Sequence, residues 1–351
     1  MRRDMSELAA SGLLKVRGRC GKEEGALVLF WQGSGPEIRF RGSSIKAEMD
    51  AEYGNLELWL DVFVDGERLS RFPLSRERRE YTLVQNLDPS KETVVRIARN
   101  TQNMPEDSVS LIKIYSVDVE GEILTPTSYR YSLEFIGDSI TSGEGCGLTN
   151  REEWIPAVFD NANSYSRYTA DLLNAEYSIV SQSGWGLYAS WDGNPACNIP
   201  DVYPRLCGSQ RSERGRAIGC QEPWDFASAQ KDAVIINLGC NDQSAMATGK
   251  WEKEEYEKLF RAQGIRFLKE LRSFYPHAHL VWAYGMLGRE MQDRIRDFLE
   301  EYKKESGDQK VSFLLLPDSA PDYLGVRFHP TPEGHNMAAK VLADYLKNIL
   351  G

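Results

Sequence analysis

The sequence predicts an α/β protein in two domains, an all-β sandwich or jelly roll followed by a parallel sheet covered on both faces by helices. Three observations carry this. At 351 residues the chain is longer than one hydrophobic core usually organises. Up to about Leu124 its apolar residues keep the period of strands, with no long helical stretch between them. Beyond about residue 130, strand-like apolar runs alternate with amphipathic helical ones, the pattern of a parallel sheet with helices packed on it.

The first half reads as short strands: ALVLFWQ, PEIRFRG, NLELWLDVFV, ETVVRIARN and SLIKIYSVDV. In the third, Leu56, Leu58, Leu60, Val62 and Val64 share one face, and Asp65-Gly66 signals a hairpin turn. LTPTSYR, 124–130, interrupts the pattern with Pro126 and small polar residues, so the domains are expected at 1–127 and 128–351. In the second half SLEFIG, AEYSIVS, AVIINLG, HLVWAYG and VSFLLLP read as buried strands. SYSRYTADLLN, EEYEKLFRAQGIRFLKELRSF, EMQDRIRDFLEEYKK and PEGHNMAAKVLADYLKNIL read as the helices between and after them. Residues 186–228 break this rhythm, and a loop that long inside a domain is expected to be a functional lid or wall.

Composition narrows the function. A formal charge of −10 does not supply the basic field that nucleic-acid binding needs, so a neutral or cationic small substrate fits better. No segment approaches the roughly 18 apolar residues of a membrane span, and MRRDMSELAASGLLKVRG has no apolar stretch of signal-peptide length. A cytoplasmic protein that binds no membrane is expected. The six cysteines, Cys20, Cys146, Cys197, Cys207, Cys220 and Cys240, form no CxxC pairs and read as reduced thiols. The group Cys197, Cys207 and Cys220 leaves a disulfide open.

In a parallel sheet of this kind ligands bind at the carboxyl ends of the strands. SLEFI ends in Gly137-Asp138-Ser139, EYSIVS runs into Ser183-Gly184-Trp185-Gly186, and VIINL ends in Gly239-Cys240-Asn241-Asp242. Arg327-Phe328-His329-Pro330 precedes the last helix. A serine where strand turns to helix can be a nucleophile, a phosphate ligand or a helix cap. The phosphate reading fails because Glu144 follows Gly143 where a P-loop needs Lys, and hydride transfer lacks its GxGxxG. Together the four strand-end pieces supply the parts that acyl transfer needs. Ser139 would be the nucleophile and His329 the base, with an oxyanion hole made from the Ser139 and Gly184 backbone N–H groups and the Asn241 amide. Singly, Ser139 could be a cap, Gly184 a turn and Asn241 a loop residue. Their coincidence at neighbouring strand ends is what argues for a site.

GDSITSG, SGWG, GCND and the HP pair resemble the four sequence blocks of the SGNH (GDSL-like) hydrolases. With GSGPEIRFRG near the amino terminus and the HPTPEGH ending, most of the chain resembles carbohydrate esterase family two. That resemblance implies a flavodoxin-like, three-layer α/β/α catalytic domain behind an N-terminal jelly roll. It implies a serine esterase that removes O-acetyl groups from plant-type poly- or oligosaccharides through an acetyl-enzyme, with no cofactor and no metal. One position departs from the family: the aspartate that often stands three residues before the histidine is Val326 here. A backbone carbonyl holding the imidazole is the leading expectation, with Asp322 the nearest acidic candidate and Asp318 and Glu333 behind it.

Around these residues, Asp138 and Asp242 read as hydrogen-bonded structural groups, because a carboxylate beside the oxyanion opposes its charge. Asp138 is also carried, with Trp185 and Trp191, among candidate substrate contacts. His335 reads as a brace for the last helix rather than a metal ligand, and Cys240 as a packed small residue. The competing readings are an esterase or thioesterase for other short acyl groups, and a carbohydrate-binding protein whose hydrolase domain has decayed.

Overall fold

A computed structural model describes residues 2–147, 154–319 and 321–351. It resolves into two compact units, one of residues 1–128 with 154–157 and 205–223, the other of residues 129–153, 158–204 and 224–351.

The first unit is an antiparallel ten-stranded sheet. Its longest strand, Gly35–Tyr53, runs beside Ser110–Leu124 on one edge; on the other it pairs first with Glu92–Arg99 and then with Arg79–Val84. The long strand changes phase along its length. Ile38 and Phe40 point into the core at even positions, Ile45, Ala47 and Met49 at odd ones. The partner strand does the same between Ile112, Ile114 and Val117, Val119. Register shifts at Ile114/Ser116 and Glu120/Gly121 account for this, since an extra residue turns later side chains to the other face and bends the strand. Gly42 and Gly121 sit at the bend, where a Cβ on either would strike the facing strand's backbone. The expected hairpin is present. Asp65 and Gly66, at φ +50° and +89°, join Trp59–Val64 to Glu67–Pro73 in the twist that a two-residue turn requires, and Leu58, Leu60 and Val62 are fully buried.

Residues 205–223, expected in a lid or wall, are instead part of this first unit. The Trp31 indole N–H donates to the Leu206 carbonyl at 2.7 Å, and Arg19 Nη1 to the Arg205 carbonyl at 2.9 Å. Arg214 forks onto both Glu23 and Glu52, which Lys113 also reaches. These hydrogen bonds and ion pairs to polar side chains of the sheet are what hold the segment there. All six cysteines are free thiols.

The second unit holds five parallel strands, Tyr131–Gly137, Ala175–Ser181, Ala233–Asn237, His279–Tyr284 and Val311–Leu315, which lie in the spatial order 2-1-3-4-5 of their chain sequence. On one face Leu133, Phe135, Ile235 and Val281 pack under the helices Tyr165–Leu173 and Pro332–Leu350. On the other, Trp282 meets Phe298 of the helix Gln292–Ser306, which lies against Lys253–Phe274. This is the expected three-layer sandwich, and it follows from strands apolar at nearly every position. Among the described residues no helix is long and apolar enough to cross a membrane.

Candidate active site

The strand register decides what meets. Gly137 lies opposite Ser181 on one side and Asn237 on the other, so the turns that follow these three strands emerge side by side. Those turns carry Ser139, Gly184 and Asn241.

Ser139 opens a helix of one turn, Ser139–Ser142, ended by Gly143 at φ +75°. A single turn sums few peptide dipoles, so local N–H groups are what the nucleophile's backbone offers. Asp138 caps the turn, its Oδ1 accepting from Ile140 N–H at 3.0 Å.

His329 reaches Ser139 from the loop before the last helix, Nε2 to Oγ at 2.7 Å. Its Nδ1 lies 2.9 Å from the carbonyl oxygen of Arg327. A carbonyl only accepts, so Nδ1 carries the proton and Nε2 presents its lone pair to the serine hydroxyl, the tautomer a general base needs. Asp318 is used elsewhere, accepting from Gly288 N–H at 3.0 Å. The carbonyl is aimed by an unusual backbone: Arg327 and Phe328 both sit in the left-handed region, at φ +56° and +58°. Two such residues without glycine cost on the order of 1–3 kcal/mol each, a local strain that the surrounding contacts hold in place.

Gly184 meets two demands at once. Its φ is +78°, and a Cβ there would lie 3.0 Å from Cδ1 of Trp191. Asn241 donates through Nδ2 to the Trp185 carbonyl at 3.1 Å and to Asp138 Oδ2 at 3.2 Å, which ties the three turns together.

The candidate substrate contacts separate. Trp191 is 61% exposed beside Gly184. Trp185 is only 8% exposed, so its indole is packed and its carbonyl is what reaches the site, which corrects the expectation of a sugar-stacking ring. Asp138 is likewise corrected: it is fully buried, with one oxygen on Ile140 and the other on Asn241, and has no surface to offer a sugar. Burial, reinforced by Asp242 and Glu144 nearby, pushes its carboxyl up to about 7. Asp242 anchors the loop after Gly184, accepting from Leu187 and Tyr188 N–H at 2.7 and 2.8 Å and from the Tyr256 hydroxyl at 3.0 Å.

His335 is buried, stacked on Tyr165, with Nδ1 accepting from Tyr165 N–H at 3.0 Å; burial lowers its pKa to about 3. Among the described residues no group of three or more His, Cys, Asp or Glu is arranged to hold a metal ion.

Sequence reasoning missed two features of the site. Phe328 is 82% exposed directly beside the base, and the only signal available was its position before His329. Glu144, read only as an obstacle to phosphate, is buried and forms an ion pair with Arg327.

The comparisons with known proteins bear on the family and the fold. Residues 135–337 match the GDSL-like lipase/acylhydrolase family and residues 16–126 the carbohydrate esterase 2 N-terminal domain. An acetyl xylan esterase from the rumen bacterium Butyrivibrio proteoclasticus, of known structure, shares 34% identity, with 100% of this chain and 98% of that one covered at a TM-score of 0.95. The cellulase/esterase CelE of Acetivibrio thermocellus is 30% identical over 92% of this chain, which spans 37% of that longer protein. An acetylxylan esterase / glucomannan deacetylase of Cellvibrio japonicus is 25% identical over 96% of this chain and 89% of its own length. The chain, with its serine at the first strand end and its histidine before the last helix, therefore belongs to the GDSL-like lipase/acylhydrolase family and carries the carbohydrate esterase 2 N-terminal domain.

Proposed function

We propose that the protein is a serine esterase that removes O-acetyl groups from acetylated xylo- or manno-configured saccharides. The observation that carries this reading is the 2.7 Å contact between His329 Nε2 and Ser139 Oγ, with Nδ1 held by a carbonyl. The relatives named as acetylxylan esterases and glucomannan deacetylases supply the substrate class.

In the first step the Ser139 hydroxyl proton passes to His329 Nε2 while Oγ bonds to the acetyl carbonyl carbon, whose π electrons move to oxygen. The Ser139 and Gly184 N–H groups and the Asn241 amide stabilise that oxyanion, Asn241 exchanging its long bond to Asp138 for one to the substrate. The intermediate collapses, the sugar oxygen leaves with the proton from His329, and an acetyl-Ser139 ester remains. His329 then takes a proton from water, whose oxygen attacks the ester, and as that proton is passed to Ser139 Oγ the acetyl group departs as acetic acid, which ionises in solution to acetate. Trp191 and Phe328 offer exposed aromatic faces for the sugar. The cytoplasm is proposed as its place of action, supported by the scattered free cysteines, and recovery from the host's extracellular fraction would refute it.

The test is acetate release from acetylated xylo- and manno-oligosaccharides and from 4-nitrophenyl acetate. Wild type is expected to be active, and Ser139→Ala to lose about three or more orders of magnitude in kcat. No release by the wild type from any acetate ester would overturn the reading; faster turnover of octanoyl than acetyl esters would redirect it to other acyl groups.

A further inference from the structure

Among the described residues no carboxylate lies on His329 Nδ1, yet one stands beside the ring. Glu144 follows the nucleophile's turn, and its own N–H donates to the Ser139 carbonyl at 3.0 Å. Its buried side chain divides its two oxygens. Oε1 accepts from Arg327 Nε at 2.6 Å; Oε2 accepts from the Ser183 hydroxyl and lies 3.8 Å from His329 Nε2. One residue is thus bonded to the nucleophile's turn, to the residue whose carbonyl holds the base, and to the neighbour of Gly184.

We propose that Glu144, paired with Arg327, takes over the work of the absent aspartate by an indirect route. Resting on the esterase reading, the inference assigns Glu144 and Arg327 as positioning residues. Arg327 must keep a left-handed backbone for its carbonyl to meet Nδ1–H, and its guanidinium is fastened to a buried anion on the opposite wall of the site. The turn around Glu144 fits closely: a Cβ on Gly145 would lie 2.7 Å from His329 Cβ. The same carboxylate faces the nitrogen that becomes charged when Ser139 gives up its proton. A conventional aspartate orients the ring and stabilises the imidazolium through Nδ1. Here the ion pair orients the ring through a backbone carbonyl, and the carboxylate stabilises the charge from the Nε2 side.

Among the described residues the charged and titratable groups around the ring are Glu144 and Asp138 flanking the Ser139 turn, Arg327 of its own loop, and Glu333 and His335 of the last helix. Glu333 is exposed and His335 is held neutral by burial, so Glu144 and Arg327 are the two whose removal should act most directly on the ring.

The experiment measures kcat, KM and the pH dependence of kcat/KM on 4-nitrophenyl acetate for wild type, Ser139→Ala, Glu144→Gln, Glu144→Asp and Arg327→Ala, with thermal unfolding as a control on folding. Glu144→Gln is expected to lower kcat about 10- to 100-fold, part of the 10²–10⁴ a positioned base supplies, with KM within about twofold. Its acid limb should move to lower pH, because the protonated ring loses a nearby anion. Arg327→Ala should also lower kcat but move the limb to higher pH, because a cation is lost and the anion stays. Glu144→Asp, keeping the charge, should recover part of kcat and leave the limb near its wild-type position. Opposed shifts are not what a loosened fold produces. An active wild type with a dead Ser139→Ala, but with Glu144→Gln within twofold in kcat or both limbs moving the same way, would overturn this inference alone. An inactive wild type would overturn the esterase reading and this inference with it.

Discussion

Two buried titratable residues near the site pull the protein's pH stability in opposite directions. Asp138 keeps its proton to about 7 when folded and to about 3.9 when unfolded, so between those values the folded state binds more protons and stability falls as pH rises. His335 is the reverse. Its folded pKa of about 3 against about 6.5 unfolded means the folded state binds fewer protons, and stability rises with pH across that window. In wild type the two slopes partly cancel. Asp138→Asn, which retains an acceptor for Ile140 N–H, should unmask the His335 term: Tm will climb more steeply from pH 4 to pH 7 than in wild type. An unchanged slope would show that Asp138 is ionised throughout.

Among the elements, the helix Lys253–Phe274 carries Gly264 in its interior, where propensity alone favours alanine by about 1 kcal/mol. Packing explains the exception. Gly264 faces the Phe298 ring of the neighbouring helix, and a Cβ there would lie 2.9 Å from three of the ring's atoms. Phe298 is itself held against Trp282 of the sheet and against Phe260, so it has little room to retreat. Gly264→Ala should therefore lower stability by about 1–2 kcal/mol, the overpacking cost outweighing the propensity gain. Urea unfolding would check it, and a stabilised variant would mean the two helices separate more easily than their contacts suggest.

For the whole molecule, the chain does not divide at one point. Residues 205–223 leave the hydrolase half to complete the first unit, where Arg214 alone makes four hydrogen bonds to Glu23 and Glu52. The hydrogen bonds from Arg214, helped by Lys113, hold Glu52 down to about 2 against the upward push of burial. A fragment of residues 129–351 would carry this segment without its partners. It is expected to be soluble only in part and to melt well below the full chain, with proteolysis concentrated in 205–223. A fragment that melts with the full chain's Tm and resists protease there would show that the segment folds independently of the first unit.

The period of the apolar residues was enough to separate a β half from an α/β half, and the helix from Pro332 to Leu350 was legible to the residue, because Pro at its start and a 3.6-residue stripe are local signals. That the turns bearing Ser139, Gly184 and Asn241 would lie side by side was legible because strand-end motifs in a parallel sheet share a rim. What stayed hidden depends on contacts between residues far apart in sequence. That Trp185 turns inward while Trp191 stays exposed is set by packing, which composition does not reveal. The partner of His329 Nδ1 is a main-chain oxygen, and no residue type announces that; it required two left-handed residues held by neighbours. Glu144 and Arg327 are 183 positions apart, and only folding the sheet brings that carboxylate to that guanidinium.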